Sequence, residues 1–342
     1  MSPKVGVLLI NLGTPDSPSV SDVRKYLSEF LNDPRVIDIP WLLRKILVNI
    51  IIVPFRAPKS AMIYKKLWTK EGSPIIIYGK SVKEKLQASL GSSFEVEIAM
   101  RYQNPGLDSV ISHMQKKVYD KIIIIPLFPQ YASASTGSAI EKAMNLIRKW
   151  WVIPEIKIIS QFYDNEGFIN TIVERSKKYN LDEYDHILFS YHGLPERQVD
   201  KVYNDGKPCS EHNCESEINE ENKFCYKAAC YATTRLLVEK LKIPTEKHTV
   251  CFQSRLDKKW LEPFTDKIII EKAKQGVKKI LVFSPAFVAD CLETIVEIGI
   301  DYRELFKING GEKLQLVESL NDHPIWIESL KELVLGSLTK QR

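Results

Sequence analysis

The chain has 342 residues, of which 44% are hydrophobic and 27% are charged, and its formal net charge is +5. This length is enough for two medium domains with separate cores, and the composition is that of an ordinary globular protein. The charge is weakly positive, and the chain has neither a long basic tract nor a nucleic-acid-binding motif, so nucleic acid is excluded as an expected partner.

The N-terminus enters an apolar, strand-like run almost at once, and we expect neither a signal nor a transit peptide. This favours a cytoplasmic protein. The most apolar stretch, residues 41–55, is interrupted by Arg44, Lys45, Asn49 and Pro54. Because of these interruptions we expect no membrane span. Basic residues flank the stretch, so it is either a buried helix edge or a helix lying on an anionic membrane surface, such as the inner face of a membrane.

Three local patterns occur twice, in the same order along the chain. The first copies are residues 7–15, 96–101 and 121–126, and the second copies are residues 187–195, 250–255 and 279–285. One such match is weak evidence, but three in one order indicate two similar halves. In each half, apolar runs alternate with helix-like stretches, which is typical of parallel strands covered on both faces.

The sequence therefore predicts an α/β fold of two similar doubly wound, Rossmann-like lobes, with parallel sheets and a cleft between them. The predicted segments are a first lobe at 1–159 with a lip at about 41–68, a second lobe at 160–322, and a C-terminal helix at 323–342 that packs on the first lobe. A dinucleotide site is disfavoured, because Gly13 lacks the other glycines of Gly-x-Gly-x-x-Gly.

One histidine and a line of acids stand out in the second half. His192 follows an apolar run, and the acids are Asp290, Glu293, Glu297 and Asp301. In an α-helix, at about 100° per residue, these acids lie within about 80° of arc. No Lys or Arg occurs between Ile280 and Tyr302. Imidazole and carboxylates accept protons or bind a divalent metal. A structural histidine and a solvated helix face are the alternatives.

Eight short motifs are distributed in order between about Val5 and about Asn321. They are residues 11–15, 71–74, 100–102, 129–131, 135–138, 190–195, 253–255 and 287–297. Together they resemble the ferrochelatase family, whose members insert ferrous iron into a porphyrin to complete haem. The resemblance implies a lyase with two Rossmann-like lobes around a porphyrin cleft, and Fe²⁺ and a porphyrin as its substrates.

The resemblance also implies roles for individual residues. His192 and Glu293 would be the metal-site pair, with His192 either receiving a pyrrole proton or holding iron. The implied relay for iron or protons is Glu297, Asp301 and Asp290, and the implied porphyrin contacts are Arg101, Tyr102 and Leu12. Arg101 is expected to bind a propionate, with an interlobe salt bridge as the alternative. Cys291 occupies a position at which some relatives carry His, so any role there is open.

Four cysteines fall in a polar insertion at about 205–230. They are Cys209, Cys214, Cys225 and Cys230, spaced C-x4-C-x10-C-x4-C. A polar loop of this kind needs a cross-link to be ordered, and the cross-link is either disulfides, zinc or an iron–sulfur cluster. A cytoplasmic location disfavours disulfides, and zinc prefers closer cysteine pairs. Some ferrochelatases bind a 2Fe-2S cluster through an internal cysteine-rich segment, so the resemblance favours that cluster, with structural zinc as the alternative.

The function expected from the resemblance is insertion of Fe²⁺ into protoporphyrin IX, the final step of haem synthesis. Coproporphyrin is the alternative substrate, although the apolar lip favours the less polar porphyrin. A non-enzymatic haem or metal carrier and a chelatase for another metal are less favoured. The sequence carries no signal for the oligomeric state.

Overall fold

The computed structural model describes residues 5–338, which form two compact units. The first unit contains the chain up to Phe128, Ser133–Gln161 and the C-terminal segment from Trp326; the second contains Pro129–Ala132 and Phe162–Ile325. Each unit has a four-stranded parallel sheet with flanking helices. The predicted α/β class with two similar doubly wound lobes is confirmed.

The sheet of the first unit has the strand order β2-β1-β3-β4. Its strands are β1 Val5–Gly13, β2 Phe94–Tyr102, β3 Lys121–Pro126 and β4 Glu155–Ile158. Ile122 to Ile125 of β3 are all buried, because a parallel strand is covered by helices on both faces. Leu8, Ile10 and Ile124 pack with Ala143 and Ile147 on one of these faces.

The helices of the first unit surround this sheet. They are α1 Val20–Leu31, α2 Trp41–Ile46, α3 Val53–Leu67, α4 Pro74–Leu90, α5 Leu107–Gln115, α6 Ser138–Ile147 and, from Trp326 onward, the last helix Pro324–Gly336. Two short π-helices, Leu47–Ile52 and Ser133–Gly137, precede α3 and α6 respectively.

The polar residues within the apolar stretch do not end the helix there. α2, the π-helix Leu47–Ile52 and α3 form one continuous 27-residue helix, Trp41–Leu67, and only 22% of its most apolar window is buried. By length and composition alone it is long and apolar enough to cross a membrane. Two prolines lie inside this helix, Pro54 directly after the π-helical segment and Pro58 about one turn later.

The second unit repeats the first, with the strand order β6-β5-β7-β8. Its strands are β5 His186–His192, β6 His248–Gln253, β7 Lys279–Phe283 and β8 Lys313–Leu316. Its helices are α7 Glu166–Ser176, α8 Glu196–Val199, α9 Tyr226–Leu241, α10 Thr265–Lys274, a π-helix Leu292–Tyr302 and α11 Arg303–Ile308.

The repetition extends to single backbone contacts at the strand ends. The amide of Met100 donates to the Pro105 carbonyl at 2.7 Å, and the amide of Phe252 donates to the Pro263 carbonyl at 2.8 Å. In both units a π-helix follows the third strand in chain order. Since the carboxyl ends of parallel strands share one edge of a sheet, the motif residues of each unit collect at that edge.

Candidate active site

His192 is the last residue of β5, a central strand of the second sheet. Its backbone pairs in register with Gln253 at the end of β6, and its carbonyl accepts a hydrogen bond from the Tyr226 hydroxyl at 2.9 Å. Its Nδ1 lies 2.6 Å from the carbonyl oxygen of Gly193. Because a carbonyl only accepts hydrogen bonds, Nδ1 carries a proton, which leaves Nε2 as the nitrogen that can take up a proton or a metal.

Gly193 is required by the close approach of β6 behind this histidine. Its amide donates to the Gln253 carbonyl at 2.7 Å, and a Cβ at this position would lie only 2.8 Å from the same oxygen. A larger residue would push the strand end away and carry His192 with it.

The acidic stretch forms a π-helix, Leu292–Tyr302, where the sequence suggested an α-helix. Each hydrogen bond reaches one residue further than in an α-helix, so successive residues turn by roughly 80° instead of about 100°. Residues four apart therefore stay close to one line, and Glu293, Glu297 and Asp301 share a face. Ile298 is buried in the core cluster of this unit, which also contains Phe306. A π-helix of this length is rare, and π-helical turns are frequent at functional sites.

The acid line runs from a partly covered position to solvent. Glu293 and Glu297 are half-buried, and Asp301 is exposed. With no basic residue in the helix to neutralise them, the acids give this face a negative potential that attracts cations.

Glu297 is held by four hydrogen bonds. It accepts from Gln253 Nε2 at 3.2 Å, from the Ser254 amide at 3.0 Å, from the Tyr302 hydroxyl at 2.8 Å, and from the Ser254 hydroxyl. Gln253 also donates to the Glu293 carbonyl at 3.1 Å, and so ties β6 to the start of the π-helix. These donors fix the Glu297 carboxylate in one orientation.

Asp290 does not belong to the acid line. The helix begins at Leu292 after an extended N-cap, Cys291, so Asp290 lies outside it. Asp290 is buried and accepts hydrogen bonds from the Ser319 amide at 3.2 Å and from the Asn321 side chain at 2.7 Å. The prediction that it shares the relay face was wrong, because the chain is extended at Cys291 and the carboxylate is used to anchor the helix start.

Cys291 caps the π-helix together with Thr294. Its thiol accepts the Thr294 amide, while its own amide donates to the Thr294 hydroxyl at 3.0 Å. Burial and the neighbouring Glu293 carboxylate raise the pKa of the Cys291 thiol well above its usual range, so the thiol stays neutral.

In the first unit, Arg101 and Tyr102 at the end of β2 bind Asp33. The Arg101 guanidinium pairs with Asp33 and also donates to the Ser138 carbonyl at 3.2 Å. Tyr102 is fully buried and donates to Asp33 at 2.9 Å. Tyr102 therefore has no exposed surface for a porphyrin, and the salt bridge of Arg101 lies within one unit and not between two. Leu12, at the end of β1, is half-buried.

The same unit has an open cavity of about 700 Å³ beside Arg101 and Asp33. Five cationic side chains line it: Arg24, Lys25, Lys45, Arg101 and Lys142. Its acids, Glu29 and Asp33, already accept hydrogen bonds from Gln103 and Arg101. The cavity therefore presents positive charge, in contrast to the acidic face of the second unit.

Three of the four cysteines of the insertion lie together in the second unit. Cys209 Sγ is 3.5 Å from Cys214 Sγ and 3.4 Å from Cys225 Sγ, and all three sulfurs lie within 4.8 Å of one another. All three thiols are buried. Such a group can hold a metal ion.

Cys230 is not part of this group. It lies in the second turn of α9 beside Tyr226, and the described residues place only Cys209, Cys214 and Cys225 within metal-binding distance of one another. The four-cysteine ligand set stays a prediction, because the ligands on the second iron of a cluster need not lie this close to the first group.

Comparison with known proteins decides the family. A sequence model of the family Ferrochelatase matches residues 4–338. The ferrochelatase of Coxiella burnetii (strain Dugway 5J108-111) is 43% identical over 98% of this chain and 94% of its own length. That of Legionella pneumophila (strain Paris) is 44% identical over 96% of this chain and 98% of its own. The chain belongs to the ferrochelatase family.

Solved structures support the same fold. SirB from Bacillus subtilis with Fe³⁺ aligns with a TM-score of 0.56 at 12% identity, covering 98% of this chain and 95% of that one. The sirohydrochlorin chelatase SirB from Bacillus subtilis subspecies spizizenii in complex with cobalt aligns with a TM-score of 0.54, also at 12% identity. At this identity the likeness concerns the fold alone. The recognition of the family from its motifs, and the enzyme class that goes with it, an iron-inserting lyase, are confirmed.

The contacts of several residues of this ferrochelatase were not predicted from the sequence. Asp33 stands in a loop, 68 positions before Arg101, with nothing nearby to mark it. Tyr302 lies in none of the recognised motifs, although its hydroxyl binds Glu297. Gln253 lies within a recognised motif, but its contact with Glu297 spans 44 positions. Of these residues, only Gln253 lies at a strand end that the repeated motif marks.

Proposed function

We propose that this ferrochelatase inserts Fe²⁺ into protoporphyrin IX, with His192 and Glu293 at the reacting centre. The observation that carries the assignment is the Nδ1 contact of His192 with Gly193, which leaves the Nε2 lone pair available. The half-buried Glu293 begins an acidic helix face in the same unit, without a basic residue in that helix.

Insertion exchanges two protons for one metal ion. Both pyrrole N–H groups lose their protons as the four nitrogens bind Fe²⁺, and the ion sheds its water ligands. A neutral imidazole is suited to accept one proton at neutral pH, and carboxylates stabilise the incoming cation or carry a proton away. Binding energy that bends the macrocycle exposes the nitrogen lone pairs and lowers the barrier.

Along the acid line, we propose that Asp301 meets solvent and Glu293 meets the reacting centre. Glu297 is the fixed point between them, because four donors hold its carboxylate. Carboxylate and imidazole ligands accept Fe²⁺, but they discriminate poorly against Zn²⁺.

The proposal is tested with His192→Ala and Glu293→Gln. Loss of a proton acceptor or of a metal ligand should lower iron insertion about 10²–10⁴-fold, while porphyrin binding, followed by fluorescence, survives. Glu304→Gln, an exposed acid just beyond the π-helix, is the matched control and should keep full turnover. Unimpaired turnover in either active-site variant would exclude this centre, and a non-enzymatic carrier would then be the better assignment.

His192 has two possible roles that use the same lone pair, and metal binding separates them. Calorimetry with Co²⁺ in the absence of porphyrin measures the affinity for the ion alone. If His192→Ala keeps that affinity but loses turnover, His192 is the proton acceptor; if both fall together, it is a ligand.

For the porphyrin, we propose the dicarboxylic protoporphyrin over the tetracarboxylic coproporphyrin. The support is the helix Trp41–Leu67, whose exposed side chains include Trp41, Leu42, Ile50 and Phe55, an apolar surface suited to the less polar substrate. Turnover of both porphyrins with Fe²⁺ tests this choice, and faster use of coproporphyrin would reverse it.

We also propose that this helix lies on the cytoplasmic surface of an anionic membrane. Trp41 is 63% exposed and Phe55 is 74% exposed, and the helix carries Lys45, Arg56 and Lys59 on exposed positions. Apolar side chains beside cations suit the interface of an anionic bilayer. Flotation with vesicles containing phosphatidylglycerol should recover the protein, and Phe55→Asp should reduce recovery. Trp151→Asp, which changes a 99% exposed tryptophan on a loop, is the control.

We keep the 2Fe-2S cluster bound by all four cysteines as a proposal, with structural zinc as the alternative. Such a cluster has two ligands on each iron, and the ligand sulfurs on different irons are separated by the width of the cluster. Here three sulfurs lie within 4.8 Å of one another, and Cys230 is outside the group. No step of iron insertion depends on these cysteines in our proposal.

A further inference from the structure

Gln253, at the end of β6, connects His192 with the acid line. Its backbone pairs in register with His192, and its carbonyl accepts a hydrogen bond from the Gly193 amide at 2.7 Å. Its side-chain amide, which is buried, donates to the Glu293 carbonyl at 3.1 Å and to the Glu297 carboxylate at 3.2 Å. The placement of this one residue therefore sets the spacing between the two parts of the proposed reacting centre.

The orientation of the Gln253 amide decides whether these contacts exist. A glutamine amide fits the same space in two orientations, which exchange its oxygen and its nitrogen. The two groups that face Nε2, the Glu293 carbonyl and the Glu297 carboxylate, are both acceptors. If Oε1 faced them instead, accepting oxygens would meet one another in a buried space, which is unfavourable. Contact with the acid line therefore requires the nitrogen to point toward the π-helix.

Ser190 of β5 fixes the same orientation from the other side of the amide. Its hydroxyl donates to Gln253 Oε1 at 2.7 Å, and its oxygen lies 2.9 Å from the hydroxyl oxygen of Thr265, the first residue of α10. Ser190 and Thr265 are both fully buried. Since Ser190 has a single hydroxyl proton and uses it for Gln253, Thr265 is the donor in the second contact. The donors therefore run in one direction, from Thr265 through Ser190 and Gln253 to Glu297.

We propose that Ser190 is a positioning residue for iron insertion, because it holds the Gln253 amide in the orientation that fixes Glu297 and the start of the π-helix. The proposal rests on the function proposed above for the acid line. With Ser190 in place, Oε1 and both Nε2 protons of Gln253 have partners. Without the Ser190 hydroxyl, Oε1 loses this donor and the amide loses its preference for one orientation. The reversed amide would present an oxygen to Glu297 and release the Glu293 carbonyl.

Steady-state kinetics of Ser190→Ala tests this role. We expect kcat for iron insertion to fall about tenfold, because the acid line is no longer held in one arrangement, while KM for the porphyrin stays within about twofold. Thr265→Val is the matched control, since it removes the outermost hydroxyl while Ser190 still donates to Gln253. The control should keep kcat within about twofold. Equal losses in the two variants would refute the directional arrangement.

A double-mutant cycle shows whether Ser190 acts through Glu297. In the Glu297→Gln background, Ser190→Ala should lower kcat by less than about twofold, because the carboxylate that the amide orients is already lost. Multiplied losses in the double variant would show that Ser190 supports only the packing of β5, and would overturn the proposal.

The amide itself is observed by NMR without turnover, in protein labelled with ¹⁵N in its glutamine side chains. The Nε2 protons of Gln253, assigned by their absence in Gln253→Met, should exchange slowly with solvent in the wild type and in Thr265→Val. In Ser190→Ala they should exchange at least about tenfold faster.

This measurement separates the present proposal from the proposed function. Unchanged exchange in Ser190→Ala would refute the role of Ser190, even if kcat falls. If exchange responds as expected but Glu293→Gln keeps full turnover, Ser190 does orient the amide, and the assignment of the acid line to iron insertion is the part that fails.

Discussion

The two units place a fixed carboxylate at equivalent strand ends, but they surround it with opposite charge. At the end of β2, Asp33 accepts hydrogen bonds from Arg101, Tyr102, Ser138 and the Arg35 amide. At the end of β6, Glu297 accepts four hydrogen bonds from Gln253, Ser254 and Tyr302. The first set of donors includes a guanidinium, and the second is entirely neutral. Asp33 is therefore paired with a cation, whereas Glu297 has no cation among these donors.

The π-helices that follow the third strand of each unit differ in the same way. Ser133–Gly137 of the first unit has no acidic residue, and it leads into α6 beside a cationic cavity. Leu292–Tyr302 of the second unit carries Glu293, Glu297 and Asp301. The same backbone arrangement thus has a cationic edge in one unit and an acidic edge in the other, and our proposal assigns the cation chemistry to the acidic edge.

The strongest test of this contrast is Asp33→Asn. Because the Arg101 guanidinium would lose its buried counter-charge, we expect the free energy of unfolding to fall by about 3–5 kcal/mol. Urea unfolding followed by circular dichroism measures the change. Asp108→Asn, which breaks an exposed pair with Lys142, should cost no more than about 1 kcal/mol. Similar costs for both variants would mean that Asp33 is not the anchor of the first unit.

The units should also differ in their response to mild acid. Burial, the charge of Lys272 and that of His248 lower the pKa of His186 in β5 to about 4. An unfolded histidine titrates near 6.5, so this depressed pKa leaves stability complete above about pH 6.5, and stability is lost as the pH falls toward 4. At pH 5 the loss is about 2 kcal/mol.

Asp33 responds in a lower range. Burial acts to raise the pKa of Asp33, but hydrogen bonds from Ser138 and the Arg35 amide, and the charge of Arg101, outweigh it and lower the pKa. The contribution of Asp33 to stability is present above about pH 4 and is lost only below that.

Thermal unfolding tests the prediction for His186. Between pH 7 and pH 5, the unfolding temperature should fall less in His186→Gln than in the wild type. An identical decrease in both proteins would refute the role of His186.

Glu297→Gln tests whether iron insertion needs a negative charge at the carboxylate that the uncharged donors of Gln253, Ser254 and Tyr302 hold in place. An amide placed against the Gln253 and Ser254 donors replaces two accepting oxygens by one, and it removes the negative charge. We expect iron insertion to fall about 10–100-fold, less than in Glu293→Gln, because Glu297 is proposed to act through the line and not at the reacting centre. A loss as large as that of Glu293→Gln would place Glu297 at the reacting centre.

The smallest expected effect is that of Tyr302→Phe. It removes one of the four donors to Glu297 and should cost about 1 kcal/mol of stability with a few-fold loss of turnover. Tyr179→Phe, whose hydroxyl binds Glu318 in the same unit, is the matched control and should lower stability without changing turnover. Equal turnover in both variants would show that the Tyr302 hydrogen bond does not support the acid line.

The sequence by itself determined the α/β class, the duplication and the family, whereas the roles of His192 and Glu293 stay predictions. These follow from local patterns: buried parallel strands are continuous apolar runs, and motif residues stand directly after them. The sequence also contained the line of acids, because residues four apart share a face in both an α-helix and a π-helix.

Only the tertiary structure decided the helix type, the position of Asp290 outside the helix, and the contacts that Asp33 and Tyr203 form. Whether a helix is α or π depends on the hydrogen bonds that the whole segment forms once Asp290 and Gln253 anchor it. Likewise, a polar loop without periodicity does not show which of its side chains meet. That is settled by the packing of Tyr203 with His212 and of Cys225 at the start of α9.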